Sequence, residues 1–266
     1  MAARSLATVS YYDRVSADTY QPTRHVQGAW NDHEQHMSPV AGLITHAIDQ
    51  HQPRADVQLS RISFEILGLI PLAATTVTVE TIRPGRTIEL VEATVLIEGR
   101  PRIRARAWRL AVSDDVAGVS GVELPAMPAG PEHGEPYDAL AEWKGGFLAS
   151  IETVALPGGR SGRRQVWART PHTVVADEPF SPTAAAISLV DLANGIATRV
   201  RPTDMMFPNV DLTIHLIRQP EPSWLGLDTS VSFGPNGLGL TSSTLSDESG
   251  PFGRAEQALT VRHFPA

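Results

Sequence analysis

Met37-Ser38-Pro39-Val40-Ala41-Gly42-Leu43-Ile44 is answered in the second half of the chain by Phe180-Ser181-Pro182-Thr183-Ala184-Ala185-Ala186-Ile187. Each stretch opens with a serine suited to capping a helix and a proline suited to its first position, then runs into apolar residues. Val40, Leu43, Ile44, Ala47 and Ile48 recur at helical spacing until Pro53, which predicts a helix capped by Ser38 with one wide apolar face. The second stretch predicts a helix over residues 184–198. The segments after the two helices also match: an alternating strand over 59–67 or 209–217, a proline, another strand, a Pro-Gly or Pro-Asn-Gly turn, and a terminal pair of strands. Order repeated at this length is the mark of one folding unit used twice.

Outward from the first helix, residues 18–28 read as an extended strand ending in a polar loop with Asn31, Asp32, His33, Glu34 and His36. Residues 57–110 have period two, with Val-, Ile- and Thr-rich runs broken at Pro71, Pro84-Gly85 and Gly99-Arg100-Pro101, which predicts three or four antiparallel strands. Residues 114–146 are rich in Pro, Gly and acidic side chains and follow neither period, so they read as a connection too long for a turn. The expected division is a first unit over 1–114, a linker over 115–146 and a second unit over 147–266. A sheet that curls around one helix keeps an open edge strand. Pairing two such edges satisfies their amides and sets the helices side by side with a cleft between the halves. The fold class expected is α+β, two helix-plus-antiparallel-sheet units forming one continuous sheet around two central helices.

Composition narrows the function. With 42% hydrophobic and 19% charged residues and a net charge of -7, the chain reads as soluble and globular, and its acidic balance argues against a nucleic-acid partner. It has no cysteine, which excludes disulfides and thiolate chemistry and fits a cytoplasmic protein. No stretch approaches the roughly 18 apolar residues of a membrane span, and residues 1–12 lack a signal-peptide core, so neither membrane insertion nor export is expected. Of 22 basic residues only Lys144 is lysine, and it sits among glycines, a poor position for a Schiff base. His33-Glu34-Gln35-His36 is one residue short of the helical zinc spacing and His46 and His51 are five apart, so no metal site is expected. There is no Gly-x-Ser-x-Gly elbow, and Gly234-Pro235-Asn236-Gly237 reads as a hairpin turn rather than a phosphate loop. The five tryptophans are dispersed and suit core or cleft packing.

Three segments carry a family resemblance: Arg61-Ile62-Ser63-Phe64-Glu65-Ile66-Leu67, Val79-Glu80-Thr81-Ile82-Arg83-Pro84-Gly85-Arg86 and Asp211-Leu212-Thr213-Ile214-His215-Leu216-Ile217-Arg218. With them the chain resembles the acyl-CoA thioesterases of double hotdog fold, the group that includes bacterial acyl-CoA thioesterase II. The resemblance implies hydrolysis of an acyl-CoA, with no cofactor beyond the coenzyme A carried by the substrate. It also implies a site built from an Asp on the second helix, a hydroxyl residue opening the next strand and a Gln on the last strand. Asp191 and Gln257 match, while Asn209 offers an amide in the hydroxyl position. Asp191 would serve as general base, with Asn209 and Gln257 orienting the water. Taken singly, each also fits a bland role: a buried capping acid, a turn residue before a strand, a solvent-facing strand position. In the first half the position of Asp191 falls on Ile48, with Asp49 beside it and out of phase, so one active centre per chain is expected.

Arg83, Arg86, Arg102, Arg104 and Arg106 are candidates for coenzyme A phosphates, but the last three alternate with Ile103 and Ala105. A three-residue loop over 99–101 would set Glu98 opposite Arg102, which reads better as an outer sheet face, solvated or packed on another copy in a homo-oligomer. Two alternatives stand beside hydrolysis. An enoyl-CoA hydratase would need a proline and a histidine soon after the Asp, where Asn194-Gly195-Ile196 stands instead. A hotdog protein that binds acyl-CoA without turnover is compatible with Asn209.

Overall fold

The proline-opened helices and the period-two runs assemble, in the computed structural model, into a helix pair and one sheet; residues 9–264 are described, apart from residue 223. The first copy contains β1 (Ser10–Arg14), β2 (Thr19–Pro22), α1 (Met37–Gln50), β3 (Val57–Ile66), β4 (Thr75–Arg83), β5 (Ile88–Ile97) and β6 (Arg100–Ala111). The later part contains β7 (Glu135–Pro136), β8 (Glu152–Ala155), β9 (Arg163–Arg169), β10 (Thr173–Val175), α2 (Pro182–Val190) and α3 (Ala193–Ile196). It ends with β11 (Asp211–Leu216), β12 (Leu225–Phe233), β13 (Leu238–Asp247) and β14 (Gly250–Thr260). The strands join in the order β10-β1-β2-β4-β5-β6-β3-β11-β14-β13-β12-β9-β8-β7. Outward from the β3–β11 seam, β6, β5, β4 and β2 on one side correspond to β14, β13, β12 and β9 on the other. The seam is antiparallel, with Ser63 facing Thr213 at its centre. Each copy carries a bulge at the same point of its last hairpin, between Val95 and Leu96 and between Leu245 and Ser246, which bends the sheet around its helix. This is the double hotdog arrangement implied by the sequence.

Alternation along β5 and β6 turns Val91, Ala93, Val95, Ile97, Ile103, Ala105 and Ala107 inward, where all are buried. The alanines leave room for the helices. Residues 37–48 of α1 are all buried, so the helix has no exposed stripe opposite its apolar face. The sheet covers one side and α2 the other, and two of the helix's three buried polar side chains find partners: Thr45 Oγ1 donates to the Ala41 carbonyl at 2.8 Å, and His46 Nε2 lies 2.8 Å from Glu178 Oε2, whereas the Ser38 hydroxyl has none among the described residues. The helices touch at Gly42, where a Cβ would stand 2.5 Å from Ser188 Cβ. They run antiparallel, since the start of each meets the end of the other. Ser181 Oγ donates to Asp49 Oδ2 at 2.6 Å, and His36 Nδ1 lies 3.6 Å from Asp191 Oδ2. Below the end of α1, Arg109 turns inward, donating to Glu89 Oε2 at 2.6 Å and to the His51 carbonyl at 2.9 Å.

Four local expectations need correction. Ser38 does not cap α1: His36 does, its Nδ1 accepting the Ser38 N–H at 3.1 Å, and Ser38 lies in the first turn. An imidazole nitrogen at this position does the work of a hydroxyl oxygen. The strand over 18–28 stops at Pro22, because Thr23 Oγ1 accepts the His25 N–H and turns the chain into a short 3-10 helix, Arg24–Val26. The β5–β6 turn has two residues, Glu98 and Gly99, both at positive φ (53° and 72°), with Ile97 facing Arg100. Arg102 therefore falls in the bulge, and its guanidinium sits 3.8 Å from Glu98. The helix over 184–198 is interrupted at Asp191, with consequences for the site.

Candidate active site

Ser181 opens α2 by accepting the Ala184 N–H at 3.0 Å, and the helix runs only to Val190. The chain then tightens, with Leu192 N–H donating to the Leu189 carbonyl and, within the short α3, Gly195 N–H donating to the Leu192 carbonyl. Asp191 is left as the cap of α2, 6% exposed. Asn209 stands just before β11, bridged to Leu259 of β14, and Gln257 lies on β14 itself. The structure brings all three side chains together: Asp191 Oδ1 accepts from Asn209 Nδ2 at 2.8 Å and from Gln257 Nε2 at 2.7 Å. Asn209 Nδ2 also donates to the Asp211 carbonyl at 3.0 Å, so both of its amide hydrogens are committed. Asp211 Oδ1 in turn accepts the Ala258 N–H at 2.6 Å, pinning the start of β11 to β14. The amides therefore grip the carboxylate, because a carboxyl group this deeply buried needs donors before it can ionise.

Burial pushes the Asp191 carboxyl up to about 7, against the pull of the Asn209 and Gln257 donors. Burial also depresses His36, to about 3, so its ring is neutral at ordinary pH. The 3.6 Å separation between His36 Nδ1 and Asp191 Oδ2 is thus no ion pair, and Nδ1 is already occupied by the Ser38 N–H. Asp191 Oδ1 is held by two donors, and Oδ2 is the oxygen left available.

Asp191, Asn209 and His36 border a cavity of about 460 Å³. Gln257 is 1% exposed and stands behind the wall. The rest of the lining is largely apolar and includes Trp30, Met37, Ile70, Leu140, Trp143 and Leu192. Trp30 and Trp143 meet edge to face at 4.8 Å, and both contact the Phe207 ring, at 5.2 and 5.7 Å. Leu140, Trp143 and Leu148 also border a second cavity of about 330 Å³, so these three form a partition between the two spaces. Nothing in the period of residues 115–146 signalled a wall. His36 was missed as well, because its neighbour Asp191 is contributed by the other copy.

The opposite end of the helix pair lacks this chemistry. With the copies matched on Ser63 and Thr213, Leu59 stands where Asn209 does and Ala107 where Gln257 does. Asp49 there accepts from Ser181 instead. Of the arginines considered for phosphate, Arg106 pairs with Glu92 at 2.7 Å and Arg83 donates to the Ile88 carbonyl at 2.6 Å. None of the five borders the cavity, whereas Arg262, just beyond β14, does.

The chain belongs to the acyl-CoA thioesterase family, a class of thioester hydrolases: the profile of the family's N-terminal domain matches residues 26–110 and that of its C-terminal domain residues 124–261. Among solved structures it is similar to acyl-CoA thioesterase II TesB2 from Mycobacterium marinum, at 16% identity over 96% of each chain and a TM-score of 0.67. It is also similar to the tesB protein of Mycobacterium avium subspecies paratuberculosis, at 18% identity over 94% of this chain and 95% of that one and a TM-score of 0.64. A conserved protein of unknown function with hot dog fold from Alicyclobacillus acidocaldarius gives 15% identity over 95% and 96% and a TM-score of 0.73. At these identities the likeness speaks for the fold. No curated protein matches the chain. Among the described residues no helix is long and apolar enough to cross a membrane.

Proposed function

We propose that the chain hydrolyses the thioester of a fatty or related acyl-CoA at Asp191, with the acyl chain in the 460 Å³ cavity. One observation carries this reading: a buried, ionisable carboxylate borders a mostly apolar cavity with Oδ1 fixed by two amides and Oδ2 left available. Oδ2 takes a proton from a water whose oxygen bonds to the thioester carbon. The tetrahedral intermediate then collapses, the carbon–sulfur bond breaks, and the proton passes from Asp191 to the departing thiolate. The products are a carboxylic acid and a free thiol. A base whose pKa lies close to the working pH is well matched to this task, and such a base contributes on the order of 100- to 10,000-fold. Gln257 acts through Asp191 as a positioning residue, and Asn209 does the same while bordering the cavity.

The decisive experiment measures thiol release from acyl-CoAs of graded chain length by the wild-type protein and by Asp191→Asn. Turnover by the wild type that disappears in the folded variant is the expected result. Undiminished turnover in the variant would reject Asp191 as the base. Calorimetric binding of a non-hydrolysable acyl-CoA, with no thiol released from the true thioester, would favour a binding protein instead.

A further inference from the structure

A tetrahedral intermediate needs a donor for its negative oxygen, and Asn209 has no hydrogen to spare, since both are given to Asp191 and to the Asp211 carbonyl. The side chain of His36 borders the same cavity, at the N-terminal end of α1. Its tautomer is fixed by its surroundings. Nδ1 accepts the Ser38 backbone N–H at 3.1 Å, so in the neutral ring the proton resides on Nε2. Nε2 has no hydrogen-bond partner among the described residues, and the side chain keeps 13% exposure, although the ring is packed at 4.4 Å against Phe147. The Nδ1 edge of the ring lies 3.6 Å from the Asp191 oxygen assigned as base, and both side chains border the same cavity. The start of α1 adds a partial positive charge there, which favours an anion and disfavours an imidazolium.

We infer that His36 is a catalytic residue, its Nε2–H donating to the thioester carbonyl oxygen as that oxygen becomes negative. The inference rests on the reading of Asp191 as base and adds the electrophilic half of the site. A neutral imidazole suits the role because it donates without first having to be protonated, and burial keeps this ring neutral down to about pH 3. The first copy thereby supplies the donor and the second copy the base.

Two substitutions separate this role from helix capping. His36→Asn keeps an oxygen near the place of Nδ1, able to accept the Ser38 N–H, but has nothing at the place of Nε2. His36→Gln keeps an N–H near the place of Nε2 and loses the cap. The expected result is that His36→Asn melts close to the wild type but loses roughly 100- to 1000-fold in kcat with KM changed only a few-fold, since the donor acts in the transition state. His36→Gln is expected to melt a few degrees lower yet retain kcat within about tenfold. Active wild type with His36→Asn folded and within about threefold in kcat overturns the inference and leaves Asp191 untouched. If His36→Asn fails to fold, His36→Gln decides: retention of kcat supports the donor role and a loss of about 100-fold or more in the folded protein overturns it. Asp191→Asn at full activity removes the base and, with it, the partner on which His36 depends.

Discussion

Replacing Asp191 by asparagine separates two properties that one side chain sets against each other. The residue is 6% exposed, and its carboxyl is pushed from an ordinary 3.8 up to about 7 by burial. A carboxyl whose pKa rises on folding favours the folded state while protonated, so its contribution is fully present below about pH 4 and is lost as pH rises through about 7. Asparagine keeps an oxygen for the Asn209 and Gln257 donors and has no proton to lose. Integrating the linkage between those two values, the stability of Asp191→Asn relative to wild type should improve by about 2–3 kcal/mol between pH 5 and pH 8. Urea denaturation followed by tryptophan fluorescence at both pH values measures this. In the same variant, thiol release should fall by on the order of 100- to 10,000-fold. Because the chain has no cysteine, a thiol reagent reads product alone. A stability difference equal at pH 5 and pH 8, or full activity in the variant, would refute the assignment of a strained buried base.

The pH profile of kcat/KM should rise to a plateau through a midpoint near 7, where Asp191 ionises, and Gln257→Leu should move that midpoint upward because the Gln257 donor favours the ionised form. Asp49→Asn should leave turnover within about twofold, since Leu59 and Ala107 deny that end of the helix pair its donors; a large loss in a steady-state assay would contradict a single centre. Gly42→Val should destabilise the fold by about 1–3 kcal/mol in urea titrations, because even a Cβ would stand 2.5 Å from Ser188. Trp143→Ala should join the two cavities and shift the preferred acyl chain to greater length, each newly buried methylene adding about 0.8 kcal/mol, or roughly fourfold, to discrimination in a chain-length screen.

Much of the architecture was readable because it is written in local period. The paired Ser-Pro openings, the alternation from Val57 onward and the Pro-Asn-Gly hairpin each arise from sterics acting on a few neighbouring residues. Capping at α1 was misread because a serine directly before a proline has the form of an ordinary helix opening, and only the three-dimensional path shows His36 Nδ1 facing the Ser38 amide. Asp191, Asn209 and Gln257 came from the family pattern, and the fold joins them through the hydrogen bonds to Oδ1. Their direction was not legible: whether an amide faces a water or a carboxylate depends on burial, which sequence does not record. His36 meets Asp191 only because the seam brings the start of one helix to the end of the other, a contact with no sequence spacing to betray it.

The unequal ends of the helix pair have a consequence for how such a chain can change. In an assembly of two identical subunits every substitution is made twice, so a residue good for one end is imposed on the other. Here Asn209 and Gln257 are free to serve chemistry while Leu59 and Ala107 serve packing, and Ser181 can tie down Asp49 while His36 stands by Asp191. Covalent fusion has turned symmetry-related positions into independent ones, and each half can be tuned without cost to its twin.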